Sequence, residues 1–433
     1  MANQIKSTVR KFIPSFMIGG YHFLWAMAGA ARYGFPSRKL KVIGITGTNG
    51  KSTTAEMLAM ILKEAGYKVA LSSSIKFEMA GDVRKNSMSN SMPGRFFLQK
   101  FLDEAVRFRC DYAIVEVTSE GIKQHRHRFI KFDGAVFTNL TPEHIESHGG
   151  FDNYRKAKLK LFETAKGFHV INCDDENAVF FLKYPAKTKY YYGFGGSIRE
   201  FGAGQAVCAR DVQAAGEGVG FSIDGIKFEI RLAGQFNVYN ALAAISAAIS
   251  QGVDLDICRR ALVKIRSIPG RMEKICRDPD IFIDYAFTPN ALEKAYATLK
   301  SRIDRGGKLI CLLGACGGGR DKWKRPVLGQ IAAKYCDRII ITNEDPFDED
   351  PQAIMEAVRL GTERGGAEKQ NVYLISDRRQ AIVKALNMAE KHDSVILTGK
   401  GCEPWIRLKH GQRIPWNEKN AVMEELAKIK AKE

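Results

Sequence analysis

One stretch near the start of the chain concentrates the chemistry: Val42-Ile43-Gly44-Ile45-Thr46-Gly47-Thr48-Asn49-Gly50-Lys51-Ser52-Thr53-Thr54. An apolar run enters a Gly-rich turn and leaves it on Gly-Lys-Ser. Gly47 and Gly50 let backbone N–H groups face phosphate oxygens, and the N-terminus of the helix expected over 55–65 adds partial positive charge. Lys51 can reach the outer phosphates of a nucleotide, and the Ser52 hydroxyl suits Mg2+. The general pattern G-x-x-x-x-G-K-[ST] asks for Gly at position 45, where this chain has Ile45, so the loop is a tighter variant. A ligand-free turn has no need of Lys and Ser in register, and ATP binding is the expectation.

Two more groups stand near that loop in the expected fold. Glu116 ends the apolar run 111–117, and His144 follows the run 134–138 within Thr138-Asn-Leu-Thr-Pro-Glu-His144. A lone strand-end Glu is ordinarily solvated or ion-paired, and a lone His is more often structural. The phosphate loop upstream changes the reading for Glu116, which is expected to share Mg2+ with Ser52. His144 is expected at the same sheet edge.

The elements that would position these groups are short apolar runs bounded by turn residues, at 111–117, 134–138 and 168–172, alternating with helical patterns. That text reads as a doubly wound α/β sheet of buried parallel strands. From about 187 to 232 it becomes Gly-rich and alternating, as in an antiparallel hairpin turning at Asp224-Gly225, and an Ala-rich helix follows at 240–250. Ser267-Ile-Pro-Gly270 interrupts the pattern. Beyond it, five apolar runs (281–284, 308–313, 338–342, 372–375, 394–398) predict a second, Rossmann-like α/β domain. The expected division is a short N-terminal segment 1–40, an ATP-binding domain 41–268 and a C-terminal domain 269–433.

Taken in order, the motifs resemble the Mur ligases, and the resemblance runs from about residue 40 to residue 430. Besides the loop it rests on Glu116-Val-Thr118-Ser119, Thr138–His144 and Tyr154-Arg-Lys-Ala-Lys158 in the first half. Gly234-Gln-Phe-Asn237-Val-Tyr-Asn240 and Pro269-Gly-Arg271-Met-Glu follow, then Asp284-Tyr-Ala-Phe-Thr-Pro289. Gly317-Gly-Gly-Arg320-Asp321-x-x-Lys324-Arg325-Pro326 and Thr398-Gly-Lys-Gly-Cys-Glu403 complete the set. The ordered set is similar to the muramyl-tripeptide synthetase branch, which joins a substrate carboxylate to an amino acid with ATP through an acyl phosphate, in peptidoglycan-precursor synthesis.

The resemblance implies roles. Lys51 would contact the transferring phosphate, Ser52 and Glu116 would share one Mg2+, and His144 with Lys158 would serve a second, Lys158 after carbamylation by CO2. A carbamate offers the hard oxygen that Mg2+ prefers, where an ammonium repels it. Asn237 and Asn240 would read adenine, Arg271 would bind phosphate and Asp284 would hold the ribose. Ser91, Met92 and Pro93, with Thr118, Ser119 and Arg126, would contact the muramyl peptide acceptor. Arg320, Asp321, Glu344, Asp345 and Glu403 would receive the incoming amino acid.

The pattern also departs from the family. Glu120, Phe287 and Cys402 stand where histidines are usual, and Met92 replaces a threonine. The usual UDP-binding domain holds about a hundred residues, whereas 43 residues precede Gly44; UDP recognition is expected to be rebuilt, supplied by another surface, or absent. Phe347 stands where diaminopimelate enzymes carry an arginine and cannot bind a distal carboxylate as arginine does. Glu344, Asp345 and Glu403 suit an amine tip instead, so L-lysine or another basic residue is expected before diaminopimelate.

The formal charge of +18 favours anionic partners. The basic residues are dispersed and no nucleic-acid-binding motif appears, so small-molecule and peptide-nucleotide substrates are expected and nucleic acid is not. Nine scattered cysteines with no C-x-x-C pair read as reduced thiols in the cytoplasm. Residues 12–31 carry no formal charge, hold Phe23 and Trp25, and lie between Lys6, Arg10, Lys11 and Arg32, Arg38, Lys39, Lys41. Two readings are open for this segment: a peripheral contact in the membrane interface, or an apolar hairpin packed on the ATPase domain. Two alternatives to the main function also stand. One is a Mur-like ligase on a folate, γ-glutamyl or lipid-linked acceptor. The other is a membrane-peripheral nucleotide-binding protein without ligase activity.

Overall fold

The computed structural model describes residues 15–88, 90–195, 204–303 and 306–431. These form two compact units. One holds the described residues up to Pro142 together with Gly150–Arg266; the other holds Glu143–Gly149 with the described residues from Ser267 onward.

The first unit is built on strands β1 (Lys41–Thr46), β2 (Val69–Ser72), β3 (Lys76–Met79), β4 (Asp82–Lys85), β5 (Tyr112–Glu116), β6 (Gly134–Phe137), β7 (Phe168–Asn172), β8 (Thr188–Gly193) and β9 (Gln205–Cys208), in the sheet order β4-β3-β2-β5-β1-β6-β7-β8-β9. Pairing is parallel from β2 to β9 and antiparallel across β2-β3-β4. The apolar runs are continuous because helices cover both faces: Val42, Ile43, Ile45, Ile114, Val115 and Val136 are fully buried. β1 lies between β5 and β6, so the loops that begin at Gly47, Val117 and Thr138 leave one carboxyl edge, where open α/β sheets bind ligands.

The Gly-rich region divides differently from the sequence expectation. Thr188–Gly193 and Gln205–Cys208 continue the main sheet in parallel, and only β10 (Arg210–Ala215), β11 (Gly218–Ile223) and β12 (Ile226–Ile230) form a separate antiparallel sheet. Its turn is at Asp224-Gly225, both with positive φ (47° and 81°), as a two-residue hairpin requires. The helices after the phosphate loop and after the hairpin begin earlier than expected, at Lys51–Glu64 and Phe236–Ile249.

In the second unit β13 (Glu273–Cys276), β14 (Asp280–Ile283), β15 (Leu309–Leu313), β16 (Arg338–Ile341), β17 (Val372–Leu374) and β18 (Ser394–Leu397) form a sheet ordered β13-β14-β18-β15-β16-β17. It is parallel except for the edge strand β13. A small hairpin, β19 (Trp405–Arg407) and β20 (Arg413–Pro415), follows.

The N-terminal segment is one helix, Ser15–Arg32, rather than a hairpin. Residues Phe12–Pro14, with Lys6, Arg10 and Lys11, lie outside the described residues. Among the described residues no helix is long and apolar enough to cross a membrane.

Candidate active site

The phosphate loop is held open by its neighbours. Gly47 (φ 152°) and Gly50 (φ 83°) have no room for a side chain: a Cβ would lie 1.9 Å from Thr138 Oγ1 and 2.2 Å from Asn240 Oδ1, respectively. The end of β6 grips the loop. The Thr138 hydroxyl and Asn139 Nδ2 donate to Asn49 O (2.7 and 3.1 Å), and the Asn49 N–H donates to Asn139 Oδ1 (3.0 Å). The Thr48 N–H donates to Asn139 O (2.8 Å). Lys51 Nζ folds back onto Gly47 O (3.0 Å) and Thr48 O (2.8 Å), which places its charge over the cradle. Thr53 is buried in the first turn of the helix. Close-packed glycines, a helix N-terminus and a cation above it fit a polyphosphate.

Ser52 and Glu116 come together through a residue the motif search missed. Ser74, just past β2, places its Oγ 2.7 Å from Ser52 Oγ and donates its N–H to Glu116 Oε1 (2.8 Å). The only trace in the sequence is the Ser72-Ser-Ser74 run after an apolar strand. This set of hard oxygens fits Mg2+. Among the described residues no group of three or more His, Cys, Asp or Glu is placed to hold a metal ion by itself.

Lys158, on the helix Phe151–Thr164, is buried beside the same loop. Its Nζ donates to Gly47 O (2.7 Å) and lies 4.7 Å from the Tyr154 ring centroid, while Tyr154 Oη is 2.9 Å from Thr48 Oγ1. Burial, and then the charge of Lys51, hold its ammonium well below the usual lysine range.

Asn240 and Asn237 are buried on the helix Phe236–Ile249. Asn240 Nδ2 donates to Asn237 Oδ1 (3.0 Å) and Asn237 Nδ2 to Ala233 O (2.7 Å), so both amides are engaged internally with Asn240 set against Gly50. On the acceptor side, Ser91 is partly exposed and Pro93 buried. Met92 lies in the hydrophobic core, where a Cβ on Gly121 would meet its sulfur at 2.3 Å. Thr118 Oγ1 accepts the Gly121 N–H and caps the turn Ser119–Lys123, with Ser119 buried. Arg126 donates to Met92 O and to Gln124 Oε1 (2.7 Å). Met92 is enclosed by packing and Thr118 closes a helix turn.

Glu143–Gly149, which carries His144, clusters with the C-terminal elements. Asp321 explains why: its carboxylate accepts the N–H groups of Ile145 (3.1 Å) and Glu146 (3.0 Å), and Lys324 Nζ pairs with the buried Glu143 (2.7 Å). Burial raises the Glu143 pKa against the pull of Lys324. Both oxygens of Asp321 thus hold the turn that carries His144.

The Asp284 oxygens accept the N–H groups of Met272 (2.6 Å) and Ala286 (2.7 Å), and burial raises its pKa. Arg271 donates to Gly270 O (3.0 Å) and lies over Tyr285 (4.6 Å). Arg320, which precedes Asp321 after the Gly317-Gly-Gly turn, is partly buried.

Asp345 and Glu403 are both bound by Lys400 Nζ (2.9 and 2.7 Å), a fully buried ammonium, and Tyr285 Oη donates to Glu403 Oε1 (3.0 Å). Glu344 is buried with Cys316 Sγ 2.8 Å from its Oε1, and desolvation raises its pKa. Phe347 (φ 53°) covers Gly318, and the Arg407 guanidinium lies over its ring (5.5 Å). Arg378 ties two of these loops together. It is buried, donates to Asn343 O (3.1 Å) and Thr398 O (2.9 Å), and pairs with both oxygens of Glu418.

Residues 45–248 match the Mur ligase middle domain, and residues 270–401 match the Mur ligase, glutamate ligase domain. The chain is 36% identical over 390 residues to the UDP-N-acetylmuramoyl-L-alanyl-D-glutamate--2,6-diaminopimelate ligase of Syntrophomonas wolfei, covering 89% of this chain and 78% of that protein. It is 33% identical over 438 residues to the UDP-N-acetylmuramyl-tripeptide synthetase of Roseiflexus sp., covering 96% and 84%. A solved UDP-N-acetylmuramoyl-L-alanyl-D-glutamate--2,6-diaminopimelate ligase superposes with TM-score 0.58 at 28% identity, covering 90% of this chain and 79% of that one. Mycobacterium tuberculosis folylpolyglutamate synthase shares the fold, with TM-score 0.69 at 19% identity over 87% and 92% of the two chains. With the phosphate loop, its Ser52–Ser74–Glu116 oxygens and these relatives in place, the chain belongs to the Mur ligase family, the ATP-dependent ligases that form amide bonds.

Proposed function

We propose that this ligase joins UDP-N-acetylmuramoyl-L-alanyl-D-glutamate to a diamino acid in peptidoglycan-precursor synthesis. In this reading residues 41–268 handle ATP and residues 269–433 receive the amino acid. The observation that carries it is Lys158, buried beside Gly47 with its charge disfavoured by desolvation and by Lys51. An amine that loses its proton adds CO2 to give a carbamate, which is the oxygen donor that the resemblance assigns here.

The chemistry then follows from the chain's own groups. Gly47–Ser52 and the helix N-terminus bind the phosphates, and Lys51 leaves its two carbonyl partners to follow the γ-phosphate. The acceptor carboxylate attacks the γ-phosphorus and the bond to the β-phosphate oxygen breaks, giving an acyl phosphate and ADP. The amine of the amino acid attacks the acyl carbon, the C–O bond to phosphate breaks, and the nitrogen loses a proton. Ser52 and Glu116 would hold one Mg2+ and His144 with carbamylated Lys158 a second, and these ions would neutralise charge on the phosphates.

The test is phosphate release from ATP and Mg2+ with that acceptor, comparing L-lysine, meso-diaminopimelate, L-ornithine and no amino acid. Release that depends on one amino acid, with the matching tripeptide by mass spectrometry, supports the reading. Folded protein that binds ATP yet turns over none of them sinks it.

A further inference from the structure

Over residues 19–32, whose side chains are described, the helix Ser15–Arg32 docks on its domain the wrong way round for an ordinary surface helix. The buried residues of that stretch are small, namely Ala26, Gly29 and Ala30, and a Cβ on Gly29 would lie 3.3 Å from the Phe96 backbone. Large residues of the same stretch are exposed, Tyr21 57%, Leu24 57%, Trp25 46% and Met27 41%, while Phe23 (38%) leans on Phe129 with ring centroids 5.2 Å apart. A surface helix normally buries its bulky stripe.

The outward residues are continuous with the start of the helix Arg95–Arg107. Trp25 meets Tyr21 (ring centroids 6.2 Å) and Phe96 (6.3 Å), Phe96 meets Tyr33 (5.5 Å), and Phe96 is itself exposed. A contiguous apolar patch of this kind marks an interaction surface.

Charge selects the partner. No Asp or Glu occurs before Glu56. Arg32 lies over Tyr33 (5.7 Å), Arg95 over Tyr21 (5.7 Å) and Arg38 over Phe35 (4.8 Å), and Lys39 and Arg128 are exposed. The nearby acids Asp103 and Glu104 are paired with Arg107 and Lys100.

We propose that this face lies in the interface of an anionic lipid bilayer, with Leu24, Trp25 and Met27 entering the acyl boundary and the arginines meeting head-group phosphates. Trp and Tyr favour that depth, and one apolar face plus a basic rim is the composition of a helix that lies on a membrane. Two signals act together here, the apolar insertion and the cations, and neither alone gives firm attachment. The proposal does not depend on the identity of the ligase substrates.

The test is flotation of the full chain with vesicles of phosphatidylcholine alone or with phosphatidylglycerol added. Binding is expected only with the anionic lipid, and raising salt from about 0.1 M to about 1 M should release it as the screening length falls from about 10 Å to about 3 Å. Leu24→Gln with Trp25→Gln should lower partitioning more than tenfold, and Arg32→Gln, Arg38→Gln and Lys39→Gln about fivefold each. Thermal melting and ATP binding of these variants should match the parent, because the exchanged side chains are exposed and none belongs to the phosphate loop. Failure of the parent to float with anionic vesicles overturns the proposal. So does concentration-dependent dimerisation that the Leu24/Trp25 change abolishes without any lipid effect, which would assign the face to a second copy. Equal flotation of parent and apolar variant overturns it as well.

Discussion

Arg378 holds the C-terminal unit together at a cost that can be worked out from its partners. Replacing it with Met leaves Glu418 buried without its cation and removes donors from Asn343 O and Thr398 O. Breaking a buried ion pair from one side costs about 3–5 kcal/mol, because the remaining charge keeps its desolvation penalty. For a unit of this size each kcal/mol shifts the midpoint by about 2–4 °C, so Arg378→Met should lower it by roughly 6–20 °C. Calorimetry reads the transition, and fluorescence of Trp416, whose indole N–H donates to Glu418 Oε2 at 2.5 Å, assigns it to this unit. Adding Glu418→Met should restore most of the loss, since an apolar pair of similar volume is usually neutral or better. Ligase activity should not return, because the loops at Asn343 and Thr398 still lack the guanidinium that ties them. A single variant that loses under about 1 kcal/mol, or a double variant no more stable than the single, refutes the reasoning.

Three further outcomes follow from the geometry. Gly50→Ala should weaken ATP binding at least about tenfold by titration calorimetry, because the positive φ and the 2.2 Å approach of Asn240 Oδ1 leave no place for a methyl group. In CO2-free buffer Lys158→Met should melt higher than the parent at neutral pH. The parent's unfolded lysine binds a proton that its folded form disfavours, so parent stability rises with pH up to about 10.5 and the gap should close there; a gap independent of pH contradicts this. Burial, chiefly, depresses His127 to about 3, so folding loses stability as pH falls from about 6.5 to about 3. His127→Leu should flatten acid unfolding across that window, as followed by circular dichroism.

The fold was legible where burial on both faces writes continuous apolar runs. β1, β5, β6 and the five parallel strands of the C-terminal sheet lie within a residue or two of the text. Lys187–Leu232 misled because a Gly-rich, half-exposed edge alternates much like a hairpin, although β8 and β9 pair in parallel. The phosphate loop was readable because phosphate chemistry constrains adjacent residues. Ser74 was not, because it reaches Ser52 and Glu116 through tertiary pairing of β2 with β5. The backbone partners of Asp321, the Ile145 and Glu146 N–H groups, were not legible either, because they are distant in sequence.

The same limit bears on the choice of amino acid. Three acids and a phenylalanine in place of arginine favour an amine tip when only residue types are visible. In the folded unit, Asp345 and Glu403 already share the ammonium of Lys400. A substrate ammonium about 5 Å from that cation would be opposed by about 3 kcal/mol at an effective dielectric near 20, which offsets much of what the two carboxylates offer it. Phe347 itself has no donor, yet Arg407 lies on its face, so a guanidinium stands one ring away from where the family pattern asks for one. The support for L-lysine over diaminopimelate therefore shrinks. Two carboxylates against one ammonium leave a net negative charge, so a substrate amine keeps part of the attraction, and L-lysine, meso-diaminopimelate and the shorter L-ornithine belong in one comparison.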